Sequence, residues 1–166
     1  MKGKDYGPND VRINKRIKIP SYSFTKIFSG FDDIGAVKAL FGANTRKVLS
    51  GLKVKLYVGS WGYFWIDDED FSLVCNLHYL KTGNKKYVYL DVIHELVHIK
   101  QHMNGKDLYD MDDGYVNTPT EIEAYKYAVK EARRIGMTKR QIVDYLKMEW
   151  LSDDDLKRLL KVTGVE

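Results

Sequence analysis

His94-Glu95-Leu96-Val97-His98 is the stretch on which the fold and the chemistry of this chain turn. Residues four apart on an α-helix share a face, about 6 Å apart along the axis at a rise of about 1.5 Å per residue. Two imidazoles so placed can converge on one zinc ion at about 2.0–2.1 Å each. Glu95 follows about 100° around the helix, so it reaches water at the metal without being a ligand. That is the HExxH pattern of two metal-binding histidines with a glutamate base between them. Three of the chain's four histidines lie between His94 and His102, a concentration that an uncommon residue rarely reaches by chance.

A catalytic zinc keeps three protein ligands and one open position. His102 is eight residues from His94, about 12 Å along a continuous helix and about 80° out of phase. Ile99-Lys100-Gln101 holds no helix breaker. His102 is therefore expected to be a supporting or packing residue. The third ligand is expected from the start of the next helix, Glu121-Ile122-Glu123-Ala124, with Glu121 favoured and Glu123 in reserve. The two point about 200° apart on a helix, so only one can face the metal. Glu121 has a competing role, because Thr118-Pro119-Thr120-Glu121 reads as a capping box. Small Ala124 would let this helix come close to the first.

The surrounding pattern is mixed. Asp32 to Leu52 reads as helix, broken at Gly42 and restarted by Asn44. Lys53 to Val58 alternates with period two, and Trp61 to Ile66 is aromatic and strand-like. Asp67-Asp68-Glu69-Asp70 lacks the spaced ligands and glycine of a calcium loop and reads as a solvated hairpin tip. Phe71 to Leu80 is expected as a further strand, with Lys85 to Leu90 returning antiparallel after Gly83-Asn84. Asp91 would then cap the histidine helix. Beyond it, one helix runs from Thr118 to about Ile135 and stops at Gly136. Thr138 with Gln141, and Ser152 with Asp155, each read as capping boxes opening two more. The fold class expected is α+β, with a small antiparallel or mixed sheet packed on the histidine helix and on the glutamate-bearing helix after it.

The 166 residues suffice for one ordinary core. Apolar residues at 44% and charged residues at 30% describe a globular chain. No apolar run approaches the roughly 18 residues of a membrane span, so no membrane partner is expected. Cys75 is alone, which rules out an internal disulfide and makes the cytoplasm the default compartment. The net charge of +4 gathers in the first 26 residues, most densely at Lys15-Arg16-Ile17-Lys18. Residues 1–20 read as a basic leader, and 21–166 as a single domain. Such a leader suits solvent better than nucleic acid, since no recognition motif accompanies the charge.

The stretch from Phe71 to Ala128 resembles the core of small gluzincin metallopeptidases: strands, an HExxH helix, then a helix bearing glutamate. His94-Glu95 through His98 to His102, followed by Glu121-x-x-Ala124, is similar to the ImmA/IrrE family. Single-domain minigluzincins are comparable in size. Val97 and Gln101 depart from that family's usual glycine and leucine, and Tyr125 stands where many gluzincins place an Asp or Asn. The resemblance implies a zincin-like domain, one zinc on His94, His98 and Glu121, catalysis by Glu95, and a peptide or protein substrate. Tyr109, Tyr115 and Tyr125 lie on segments from which a hydroxyl could support a developing oxyanion. The alternative function is a regulatory or nucleic-acid-associated module in which zinc is structural.

Overall fold

The computed structural model describes residues 6–15, 21–109 and 114–166. In chain order the strands and helices are β1 (Arg12–Ile13), β2 (Ser21–Ser23), α1 (Phe24–Ile27), β3 (Phe28–Ser29), α2 (Gly35–Phe41), α3 (Thr45–Gly51), β4 (Lys53–Tyr57), β5 (Phe64–Ile66), β6 (Leu73–Asn76), α4 (Leu77–Thr82), α5 (Lys85–Met103), α6 (Pro119–Arg134), α7 (Lys139–Leu146) and α8 (Asp153–Thr163). The class is α+β. A four-stranded mixed sheet has the order β2-β4-β6-β5, and β1 pairs with β3 in a separate ladder. In the larger sheet β4 and β6 are parallel, while the two outer strands run antiparallel to their neighbours.

Helix α5 is the axis of the fold. Twelve of its nineteen residues are buried, Val88, Ile93 and Leu96 among them, together with the polar His94, Glu95, His98 and Gln101. It packs against α2, α6 and β5. A cluster of Phe24, Phe28 and Phe31, with ring centroids 5.1–6.0 Å apart, seals the core, and Phe31 lies 5.6 Å from Tyr89 of α5. Rings of this size bury a large apolar area each.

Three expectations are corrected here. Lys85–Leu90 does not return as a strand: it forms the opening turns of α5. Asn84, not Asp91, caps that helix, its side chain accepting from Lys86 N. Strand β6 likewise ends at Asn76, whose side chain accepts from His78 N and Tyr79 N and starts α4. An asparagine cap followed by burial that runs unbroken from Val88 to Leu90 and from Val92 to Ile99 outweighed the β-propensity of Tyr87-Val88-Tyr89.

Asp91 instead joins three helices. Tyr79 of α4 donates to its Oδ2 at 2.6 Å and Tyr145 of α7 to its Oδ1 at 3.0 Å. Burial pushes its carboxyl up to about 6, the two hydroxyls opposing that rise. Because the folded value exceeds the unfolded one, this group's contribution is full below about pH 4 and is lost as pH rises through about 6. Asp91→Asn is expected to flatten that fall. Urea unfolding at pH 4.5 and 7.5 is expected to shift the balance towards the variant by about 2 kcal/mol across the interval.

The acidic turn between β5 and β6 is held from within. Asp67 Oδ1 accepts from Glu69 N and Asp70 N, and Lys55 Nζ reaches both Asp67 and Asp70. Of the first twenty residues, 6–15 are described. They dock on the domain: Val11 is buried, β1 pairs with β3, and Arg134 donates to Tyr6 O. The densest basic residues, 16–18, lie outside the described residues. Among the described residues no helix is long and apolar enough to cross a membrane.

Candidate metal centre

Helix α5 presents His94 and His98 one turn apart, and α6 presents Glu121 from its first turn. The helices meet closely because Ala124, Ala128 and Ala132, spaced by four along α6, are fully buried and small. His94 Nε2 and His98 Nε2 are 3.1 Å apart. Glu121 brings Oε2 to 3.2 Å from His94 Nε2 and Oε1 to 3.2 Å from His98 Nε2. Ligand atoms about 2.0–2.1 Å from one tetrahedral zinc stand about 3.3 Å from each other. The donor set therefore fits a zinc ion in spacing and in chemistry, two imidazoles and a carboxylate.

Glu121 Oε2 is buried and close to His94 but makes no hydrogen bond of good geometry. That oxygen stands beside both imidazoles without a partner that satisfies it. The electrostatics are those of a coupled cluster. Burial disfavours charge on both imidazoles and drives His94 down, whereas for His98 the carboxylates of Glu121 and Glu95 prevail and push it up to about 9. Burial would raise Glu121, but the two imidazoles hold it well below the usual carboxylate range.

Thr118 does not form the expected capping box. Its hydroxyl donates to Gly114 O at 3.1 Å, and no side-chain cap is made. Glu121 is thereby released from capping. Glu123 faces away and accepts from Lys106 at 2.6 Å. His102 stacks on Phe71, centroids 3.4 Å apart, outside the cluster of three. Of the other two capping boxes, Thr138 with Gln141 closes in both directions. Ser152 accepts from Asp155 N but turns its hydroxyl to the Asp155 carboxylate.

Gln101 is a site residue that the sequence alone does not single out. Its amide nitrogen donates to Thr120 O at 2.9 Å and to Glu123 Oε2 at 2.8 Å, both pure acceptors. That fixes its carbonyl towards His98 Nδ1 at 2.8 Å, so Nδ1 carries a hydrogen and Nε2 is the nitrogen that would bind a metal on losing its proton. Its one signal in the sequence is its place three residues after His98, on the same face. Gln101→Leu is expected to weaken zinc binding about 10–100-fold, measured by competition with a chelating dye. Unchanged affinity would remove Gln101 from the site.

No family model, curated protein or solved structure matches this chain.

His94 Nδ1 has no hydrogen-bond partner, and Asp91, three residues earlier on α5, is committed to its two tyrosines. His94 is positioned by packing instead: the Tyr125 ring lies 4.3 Å from it. The Tyr125 hydroxyl contacts Tyr115 at 2.8 Å and donates to Met148 Sδ at 3.1 Å. Glu95 is buried, its Oε2 unpartnered, and burial pushes its carboxyl up to about 8. The four residues lie in a cleft of about 530 Å³ whose walls include Trp61, Trp65, Tyr109, Tyr115 and Trp150. Tyr109 and Tyr115 thus reach the cleft, whereas Tyr125 is turned into the protein.

Proposed function

We propose that this chain is a zinc-dependent peptidase of gluzincin type on a zincin-like domain, working in the cytoplasm, where a lone buried thiol such as Cys75 stays reduced. The observation that carries the reading is the convergence of His94, His98 and Glu121 at the base of an open cleft, with unpartnered Glu95 in the same cleft. A structural zinc is enclosed by four protein ligands. Here, among the described residues, the cluster holds three, which favours catalysis over the structural-zinc, nucleic-acid-associated alternative.

Bound to the three ligands, zinc supplies a Lewis acid that polarises a peptide carbonyl and makes water acidic enough to lose a proton near neutral pH. The chain's own residues do the rest. Gln101 holds the His98 ring, and Tyr125 backs the His94 ring. Glu95 Oε2 accepts a proton from water as oxygen bonds to the carbonyl carbon, then gives it to the amine nitrogen as the C–N bond breaks.

Strand β5 offers a track for the substrate. Tyr63 O and Asp67 N bond towards β6 and the loop after β5, so by strand alternation Phe64 and Ile66 turn their backbone groups the other way. The Tyr109 hydroxyl already donates to Ile66 O on that side. Among the described residues no strand covers that edge, and an extended peptide can add to it.

The test is direct. Protein purified without a histidine tag is expected to carry about one zinc per chain and to cleave an unfolded polypeptide such as reduced casein. A chelator should stop cleavage and added zinc restore it. Absence of fragments by mass spectrometry from zinc-loaded protein would overturn the peptidase reading.

A further inference from the structure

The walls of the cleft carry more information than its floor. Trp61 and Trp150 are two of the most exposed large apolar residues among those described, at 66% and 51%, and both line the cleft. Neither ring is adrift. Trp61 stacks on Trp65, centroids 5.7 Å apart and planes 11° from parallel. Trp150 lies 5.2 Å from Tyr63, which rests 4.3 Å from Tyr79. The loop bearing Trp61 is pinned by Asn76, whose side-chain nitrogen donates to Gly59 O and Trp61 O. Exposed indoles held in fixed places are pre-organised apolar surface, with little ordering cost left for a ligand.

Charge narrows the occupant. Among the described residues lining the cleft there is no lysine or arginine, and the acidic members are Glu95 and Glu121. Away from the histidine–glutamate cluster, the walls offer an acidic side chain no lysine or arginine to pair with. A lysine could sit over an indole face, but a large apolar side chain covers more ring area and needs no desolvation of charge.

We propose that Trp61 and Trp150 form a selectivity wall for peptides with a large apolar side chain, aromatic or leucine-like, next to the bond held over the cluster. This rests on the peptidase reading for what happens to the peptide, but not for what binds.

The experiment uses decapeptides identical except for Phe, Leu, Ala, Lys or Glu at one central position. Binding is measured by calorimetry on zinc-loaded protein carrying Glu95→Gln, and hydrolysis on the zinc-loaded wild-type chain. The Phe and Leu peptides are expected to bind at least about 10-fold more tightly than the Ala peptide, with Lys and Glu no better than Ala. Trp61→Ala and Trp150→Ala are each expected to reduce that preference to within about 3-fold, and Trp61→Phe to restore it. Both indoles are exposed, so truncation should leave the fold intact, checked by circular dichroism. Equal binding of all five peptides, a preference for Lys or Glu, or a preference untouched by both tryptophan variants would overturn the proposal. Hydrolysis without preference sinks the wall alone. Preference in binding without hydrolysis sinks the peptidase reading and leaves the wall standing.

Discussion

Glu95→Gln is expected to keep about one zinc per chain and to lose about 10²–10⁴-fold of peptide hydrolysis. The glutamine has nearly the same shape, so the packing of α5 against α6 is preserved. It removes only the ability of Oε2 to take and return a proton. Glu95 is not among the three converging ligands, so metal content should not follow activity. Parallel measurement of zinc by plasma spectrometry and of peptide cleavage by chromatography decides the matter. Unchanged hydrolysis would show that another group moves the proton. Loss of zinc together with hydrolysis would show that Glu95 holds the metal.

Glu121→Gln is the second large effect. Replacing the carboxylate takes the anionic donor from the cluster and leaves two buried imidazoles sharing the site with a neutral amide. The variant is expected to lose most of its zinc on dialysis, to below about one-tenth of the wild-type ratio. Glu123→Gln should keep it, because Glu123 is exposed and bound to Lys106. Zinc at 100 times its dissociation constant stabilises the folded chain by about 2.7 kcal/mol. The wild-type and Glu123→Gln proteins should therefore melt at a higher temperature with zinc than with chelator, and Glu121→Gln should not. If Glu123→Gln alone abolished binding, the assignment of ligands on α6 would be reversed.

Both expectations depend on features that the sequence exposes unequally. The pairing of His94 with His98 is legible because it depends on helical pitch alone. So is the exclusion of His102, which stacks on Phe71 instead. The close approach of α6 was announced by Ala124, although the run through Ala128 and Ala132 carries it further. The opening of α5 was hidden. Lys85–Leu90 has the residue types of a strand, and only the Asn84 cap with continuous burial makes it helix.

The role of Glu121 shows where local chemistry stops. Thr118-Pro119-Thr120-Glu121 has every residue a capping box requires, yet Thr118 turns its hydroxyl to Gly114 and Glu121 turns to the histidines. A cap is a local preference of about 1 kcal/mol. Leaving two buried imidazoles beside each other without the carboxylate costs more, and that contact exists only once α6 lies on α5. Gln101 obeys the same logic, because its orientation is fixed by Thr120 and Glu123, about twenty residues away in the chain.

By itself, then, the sequence determined the features set by short-range periodicity and spacing: the α+β class, the helix carrying His94, Glu95 and His98, and the helix start that offers Glu121. Tertiary structure decided the features that need segments remote in sequence to meet in space: Glu121 rather than Glu123 facing the histidines, Gln101 behind His98, and Trp61 facing the same cleft as Trp150. The physical reason is that helical spacing and capping act over a few residues, whereas desolvation and the convergence of donor atoms arise only when the folded elements pack.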